Sequence, residues 1–409
     1  MNIDIYSTYY LPRLGGVENA ILQLSNALVK LDHDVSIHTT RDLGYRRKNN
    51  LPSREALHGH VVYRYPCIPL KLERLLMKKQ SVPISLSLAT SMAKINPDVI
   101  NIHVPHQGVA EINAFFARMN PAPMILTIHN FEVYGSRLEK LAYRLLGIAT
   151  KMMVNRASSI IVSSTLFKNR YFRGKLRSKI HPIHYGVDTK RFNMDKRPRG
   201  LHVDEKKILF VSVLDDAHKY KGLEWLLKAI PHVDTTGINL KLKIIGSGAL
   251  KEHYEKMVAR SSMANDIAFL GRVSDLELEK LYHESDLLVL PSISELEGFG
   301  LVALEAMASG TPVVVSDICG VSEVVKHLNF GITVSPFGRD SGKRLQHWFD
   351  RLSDRPVEED YDKQIAKAIE KAIHHDWANQ RVACADIIKQ EYTWEKYAEK
   401  HVEIFSSMK

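Results

Sequence analysis

Cysteine is scarce in this sequence. Three residues, Cys67, Cys319 and Cys384, stand far apart, and no Cys-x-x-Cys pair occurs in 409 residues. That argues against a disulfide framework or a zinc knuckle and fits a reducing compartment. Long apolar runs are missing too: none approaches the roughly 20 residues a membrane-spanning helix needs. The opening MNIDIYSTYY lacks the basic-then-apolar pattern of a secretory signal. There is no short-period repeat and no low-complexity tract. The expectation is a cytoplasmic chain, soluble or held at most on the inner surface of the cytoplasmic membrane.

What remains is ordinary globular composition, 45% hydrophobic and 25% charged. The length favours two domains over one core. Charge is uneven. Residues 1–200 carry 30 Lys and Arg against 13 Asp and Glu, while residues 201–409 carry 26 against 33. A net of +17 beside a net of −7 suggests two units with different partners, the first suited to an anionic surface.

Both halves alternate short Val/Ile/Leu-rich runs with helical patterns. NIDIYST, DVSIHTT, DVINIHV (98–104), PMILTIH (123–129) and SSIIVSS (158–164) read as strands in the first half. KILFVSV (207–213), LKLKIIG (240–246), DIAFLG (266–271), DLLVLPS (286–292) and TPVVVSD (311–317) repeat the rhythm in the second. Residues 16–31 place Ile21, Leu24, Leu28 and Leu31 on one helical face. Near-continuous apolar strands between helices predict parallel sheets covered on both faces, hence two doubly wound domains. The polar stretch 193–207 is the predicted join, and strands should stop after about residue 338.

One stretch carries chemistry: ELEGFGLVALEAMASGTPVVVSD, residues 295–317. A predicted strand runs into a glycine turn, and a strongly helix-forming segment follows from about Leu301. Ligands of open parallel sheets sit at the carboxyl ends of strands. The first N–H groups of a helix lack internal partners, and glycines let an anion approach them closely. The reading is a diphosphate seat flanked by Glu297 and Glu305. A solvated loop glutamate beside a helix-surface glutamate fits the same pattern.

The longer stretch PSISELEGFGLVALEAMASGTPVVVSDICGVSEVV (291–325) closely resembles the signature of retaining glycosyltransferases of family 4, which have the GT-B fold. Pro291-Ser292, Glu297 to Gly300, Glu305 to Gly310, Pro312 to Val314 and Gly320 to Glu323 carry the match. Gly15-Gly16-Val17-Glu18 resembles the family's amino-terminal glycine loop. HYGVDTKRF (184–192), YKGLEWLLKAI, IIGSG and FLGRVS extend the likeness over most of the chain.

The resemblance implies an α/β architecture of two Rossmann-like domains facing a cleft. An acceptor domain would span 1–200 and a nucleotide-sugar domain 201–375. Helices of 376–409 would cross back onto the first. It implies transfer of a hexose from a UDP-sugar or GDP-mannose to a saccharide or lipid-linked saccharide, with retention and without metal or cofactor. Glu305 would hold the ribose. Glu297, with the Gly298, Phe299 and Gly300 backbone, would hold the sugar. Leu301 and Val302 amides would face the diphosphate, and Lys221 would neutralise it. Arg272 and Val273 would flank the base. Gly16 would lie near the diphosphate and His129 near the reacting carbon. Surface polysaccharide, lipopolysaccharide or glycolipid synthesis is the implied setting.

One departure stands out. The family's arginine after the first strand of the second domain is absent from Val211-Ser212-Val213-Leu214-Asp215, leaving Lys219 or His218 as replacements. Two alternatives stand beside transfer: a GT-B epimerase using the same nucleotide seat on the donor alone, and, suggested by the absent arginine, a non-catalytic partner subunit. Asp32-His33-Asp34 matches a metal-binding Asp-x-Asp but reads as a helix-to-strand turn, so no metal site is expected. His103 ends a strand and is a further candidate for the cleft; His106 lacks carboxylates at ligand spacing. Basic residues cluster at 45–50, 74–79 and 170–179, and 137–156 reads as a basic amphipathic helix, all suggesting an anionic membrane surface. Without stacking aromatics or a recognised motif, nucleic acid is not the expected partner.

Overall fold

The computed structural model describes residues 1–13, 15–41, 51–70, 82–104, 117, 119–130, 150–197, 204–261, 263–338 and 355–408. The basic segments 45–50 and 74–79, His106, and residues 137–149 of the amphipathic stretch lie outside the described residues.

The first sheet has eight strands. In chain order they are β1 (Asn2–Tyr6), β2 (Asp34–Thr40), β3 (Arg54–Leu57), β4 (His60–Tyr65), β7 (Val99–Val104), β8 (Met124–Ile128), β9 (Ser159–Val162) and β10 (Ile180–Pro182). A two-stranded ribbon, β5 (Ile68–Leu70) and β6 (Val82–Ile84), interrupts them. The spatial order is β10-β9-β8-β7-β1-β2-β4-β3, parallel except for the β3–β4 hairpin. β7, β8 and β9 are buried along their whole length, as strands covered on both faces must be. Helices α1 (Gly16–Lys30), α2 (Leu86–Ser91) and α3 (Thr165–Tyr171) belong to this unit. Ile21, Leu24 and Leu28 turn the apolar stripe of α1 into the core.

The second sheet holds β11 (Glu205–Val211), β12 (Asn239–Ile245), β13 (Ile267–Gly271), β14 (Leu287–Leu290), β15 (Val313–Ser316) and β16 (Gly331–Val334). Its order is β13-β12-β11-β14-β15-β16, with every pairing parallel. Helices α4 (Leu223–Ala229), α5 (Lys251–Val258), α6 (Asp275–Glu284), α7 (Leu301–Ala308) and α8 (Val321–Leu328) separate the strands. The order reverses between β11 and β14, so the loops leaving those strands flank a crevice. A Cβ at Gly222, after the β11 loop, would collide with the Pro291 carbonyl after β14. The two loops are therefore pressed together at that point.

Three helices close the chain: α9 (Tyr361–His374), α10 (Ala378–Glu391) and α11 (Trp394–Ser406). α9 packs on α4 and the second sheet, and α10 on α7 and α8. α11 reaches the first unit, lying against α1 with a Lys30–Glu395 ion pair at 3.0 Å. Residues 376–409 thus split between the units. Cys384 and Ile388 of α10 are buried, with Cys384 Sγ against the Met307 carbonyl, whereas Trp394 and Tyr397 of α11 pack on Tyr185. The outgoing and returning chains meet side by side, where Val187 pairs with Thr393 and its N–H donates to the Tyr392 carbonyl at 2.8 Å.

Candidate active site

The carboxyl ends of the two sheets face each other across a cleft of about 450 Å³. The first unit supplies Arg13, residues 15–19, His129, Asn130 and Tyr185; the second supplies His218, Tyr220, Lys221, residues 296–302 and Glu305. Of the expected site residues, Gly16, His129, Lys221, Glu297, Gly298, Phe299, Gly300, Leu301, Val302 and Glu305 all line it. Arg272 and Val273 do not. They follow β13, the outermost strand, with β12 between it and β11, and Arg272 is exposed.

The strand β14 ends at Leu290, and the chain turns through 291–300 before α7 begins at Leu301. Gly300, with φ 101°, is the N-cap of α7 in a left-handed conformation that glycine adopts without strain. Glu297 precedes this turn and is buried. Its carboxylate lies 2.8 Å from Lys221 Nζ, at the end of the short 3-10 turn Asp216–Lys221. Glu305 sits one turn into α7. Tyr282, fully buried on α6, donates to its Oε2 at 2.8 Å. Burial pushes the Glu305 carboxyl up to about 7, opposed by that phenol and by the charges of Arg191 and Lys221.

The first unit meets this loop directly. A Cβ at Gly298 would collide with the His129 carbonyl oxygen, so glycine permits the two backbones to touch. Ser163 Oγ donates to the Gly298 carbonyl at 3.0 Å. His129 is buried, and both ring nitrogens are engaged: Nε2 with His103 Nδ1 at 2.9 Å, Nδ1 with the Tyr185 hydroxyl. Asn101 Nδ2 lies 3.3 Å from His103 Nε2. Assigned from this network, Asn101 donates to His103, His103 donates to His129, and His129 donates to Tyr185. Burial holds His129 down to about 3 and His103 well below the usual imidazole range, so both rings are neutral. His103 lies behind His129 and is not part of the cleft wall.

A second inter-unit contact lies beside the first. Glu323 on α8 accepts from the Thr165 N–H at 3.0 Å, from the Leu166 N–H, and from His184 Nε2 at 2.9 Å. A carboxylate of one unit thereby caps α3 of the other.

Neither replacement for the absent arginine stands free in the cleft. Lys219 pairs with Asp216 at 2.8 Å and is not part of the wall. His218 lines the cleft, but its Nδ1 is 2.6 Å from Asp215 Oδ1. Asp32-His33-Asp34 forms the turn from α1 into β2, at the amino end of the strands and so away from the cleft at their carboxyl ends. His33 Nδ1 is 3.2 Å from the Met1 amine there. Among the described residues, no group of three His, Cys, Asp or Glu side chains is placed to hold a metal ion.

Sequence reasoning missed Arg13, Tyr282, Tyr185 and Ser163. Arg13 stands two residues before the glycine pair, where a cation beside a glycine-rich loop is a readable signal. The other three are ordinary core residues until the fold brings them to the site.

Two facing doubly wound units with a cleft at their carboxyl ends are the architecture of GT-B glycosyltransferases. HepE from Anabaena, solved in complex with UDP and glucose, superposes over the whole of both chains with a TM-score of 0.64 at 18% identity. Residues 14–191 match the model described as Glycosyltransferase Family 4, and residues 192–371 that of Glycosyl transferases group 1. An uncharacterised glycosyltransferase of Methanocaldococcus jannaschii is 30% identical over 358 residues, covering 83% of this chain and 87% of that one. The phosphatidyl-myo-inositol mannosyltransferase of Mycolicibacterium smegmatis is 24% identical over 379 residues, 92% of this chain and 91% of that one. The chain is a member of glycosyltransferase family 4, a GT-B transferase.

Proposed function

We propose that this glycosyltransferase moves a hexose from a UDP-sugar or GDP-mannose to a hydroxyl of a saccharide or lipid-linked saccharide, retaining the anomeric configuration. The observation that carries the reading is the Lys221–Glu297 pair, its carboxylate buried, at the head of α7 and facing Gly16 and His129. The α7 amides and Lys221 receive the diphosphate. Lys221 stabilises the charge that grows as the nucleotide leaves. Glu305 takes the ribose hydroxyls, Glu297 positions the sugar, and His129 is a neutral wall beside it. The bond from the anomeric carbon to the phosphate oxygen breaks, and the acceptor oxygen bonds on the same face. The acceptor proton passes to the departing phosphate. No metal or cofactor enters this scheme. The UDP and glucose held by HepE support a nucleotide-sugar donor.

Glu305→Ala is expected to weaken donor binding. Glu297→Ala is expected to lower turnover by on the order of a hundredfold while changing affinity less. Steady-state kinetics and calorimetry check both, and full activity in both variants sinks the assignment.

A lipid-linked acceptor in surface polysaccharide, lipopolysaccharide or glycolipid synthesis is supported by the mannosyltransferase relative and by the basic first unit. On this reading the enzyme works in the cytoplasm, at the inner membrane face. It should sediment with vesicles containing anionic lipid and be released by salt. Sedimentation that ignores lipid charge removes that part of the reading.

A further inference from the structure

We infer that Arg13 supplies the second cation of the diphosphate seat and reaches it from the domain opposite Lys221. The inference rests on the donor reading above and names a residue of the same site.

Among the described residues of the second domain, Lys221 is the lysine or arginine that lines the cleft, and it is paired there with Glu297. Lys221 stands in the cleft, while β11 leads into Val213-Leu214-Asp215 where a cation would otherwise follow. Lys219 points to Asp216 outside the cleft, and His218 is tied to Asp215. Arg13 lines the same cleft from the loop after β1. That loop is fixed: Arg64 Nη2 donates to the Leu11 carbonyl at 2.8 Å, and Ser7 Oγ to the Tyr9 carbonyl at 2.9 Å. The guanidinium lies 3.9 Å over the Tyr9 ring, and its Nε is 3.2 Å from Glu18 Oε1.

The two sides of the cleft therefore match. Among the described residues, each contributes one lysine or arginine beside one buried carboxylate, Lys221 with Glu297 and Arg13 with Glu18, and the two cation side chains are 15% and 14% exposed. Each carboxylate also sits at a helix head, α7 or α1. A guanidinium offers paired N–H donors that fit two phosphate oxygens at once. A guanidinium has five N–H donors, so a phosphate can bind Arg13 while Nε stays with Glu18 and the buried carboxylate keeps its partner. A diphosphate held by Lys221 and Arg13 touches both domains, so its binding favours their apposition.

The test is calorimetric titration of wild type, Arg13→Ala and Arg13→Lys with UDP, GDP and ADP and with the matching monophosphates. For whichever base the wild type binds, Arg13→Ala should weaken the diphosphate by about tenfold or more. The monophosphate should change by less than about threefold, and Arg13→Lys should recover part of the loss. Arg13→Gln serves in place of the alanine variant if the latter does not fold, as judged by thermal melting. Unchanged diphosphate affinity in a folded variant, or an equal loss for both phosphates, overturns the inference. A wild type that binds none of these nucleotides overturns the donor reading itself, and this assignment with it.

Discussion

Single residues divide into those whose task could be read from spacing and those whose task depends on a neighbour. Glu305 shows both. Its place one turn into a helix behind a glycine turn is legible. Its raised carboxyl is not, because that comes from burial against Tyr282, a residue of another helix. The folded protein keeps a proton on Glu305 between its ordinary 4.5 and about 7, which the unfolded chain has already released. Stability from this group therefore falls as pH rises through that window and levels above it. If Glu305 takes the ribose hydroxyls as proposed, they donate to the ionised carboxylate, and nucleotide affinity should rise by about tenfold from pH 6 to pH 8. Glu305→Gln should flatten that dependence. Calorimetry at the two pH values checks this, and an equally steep dependence in the variant assigns it elsewhere. His129 was legible as a strand-end residue, but not that both its nitrogens are used inside the protein.

At the scale of elements, the ten strands expected from apolar runs are all present, and α7 starts at Leu301 as its composition implies. The unread strands are short or outside the doubly wound rhythm. β10 has three residues, β16 opens on Gly331 rather than inside an apolar run, and the β3–β4 hairpin turns at His58-Gly59, both with positive φ. The Glu323 cap on α3 was also unreadable. A glutamate on one helix carries no sign that another helix, 157 residues earlier, begins against it. Glu323→Ala should remove about 1–3 kcal/mol of contact between the units. Small-angle scattering should report a wider cleft, and melting a lower midpoint. A variant with wild-type scattering and melting would show that the cap does not hold the units together.

For the whole molecule, the two-unit plan and the charge contrast follow from strand rhythm and composition, while the facing of the units was implied by the family resemblance alone. Arg13 and Lys221 share one cleft although their spacing in the chain says nothing of it. α11 ties the units by crossing to α1, whereas α10 stays with α7 and α8. The basic cluster at 170–179 is also less available than its charge count suggests. Arg170 donates to the Ile318 carbonyl, Arg177 to Asn169 and Lys179 to two carbonyls, while Arg173 and Lys175 are exposed. No described helix is long and apolar enough to cross a membrane.

The most direct measurement is thermal melting of the wild type and Glu305→Ala against a set of UDP-, GDP- and ADP-sugars. A ligand that binds only the folded state raises the melting temperature. The wild type should be raised by the sugars of one base, and Glu305→Ala should lose most of that rise. No rise with any nucleotide-sugar, or an equal rise in both proteins, would contradict the cleft as the donor site.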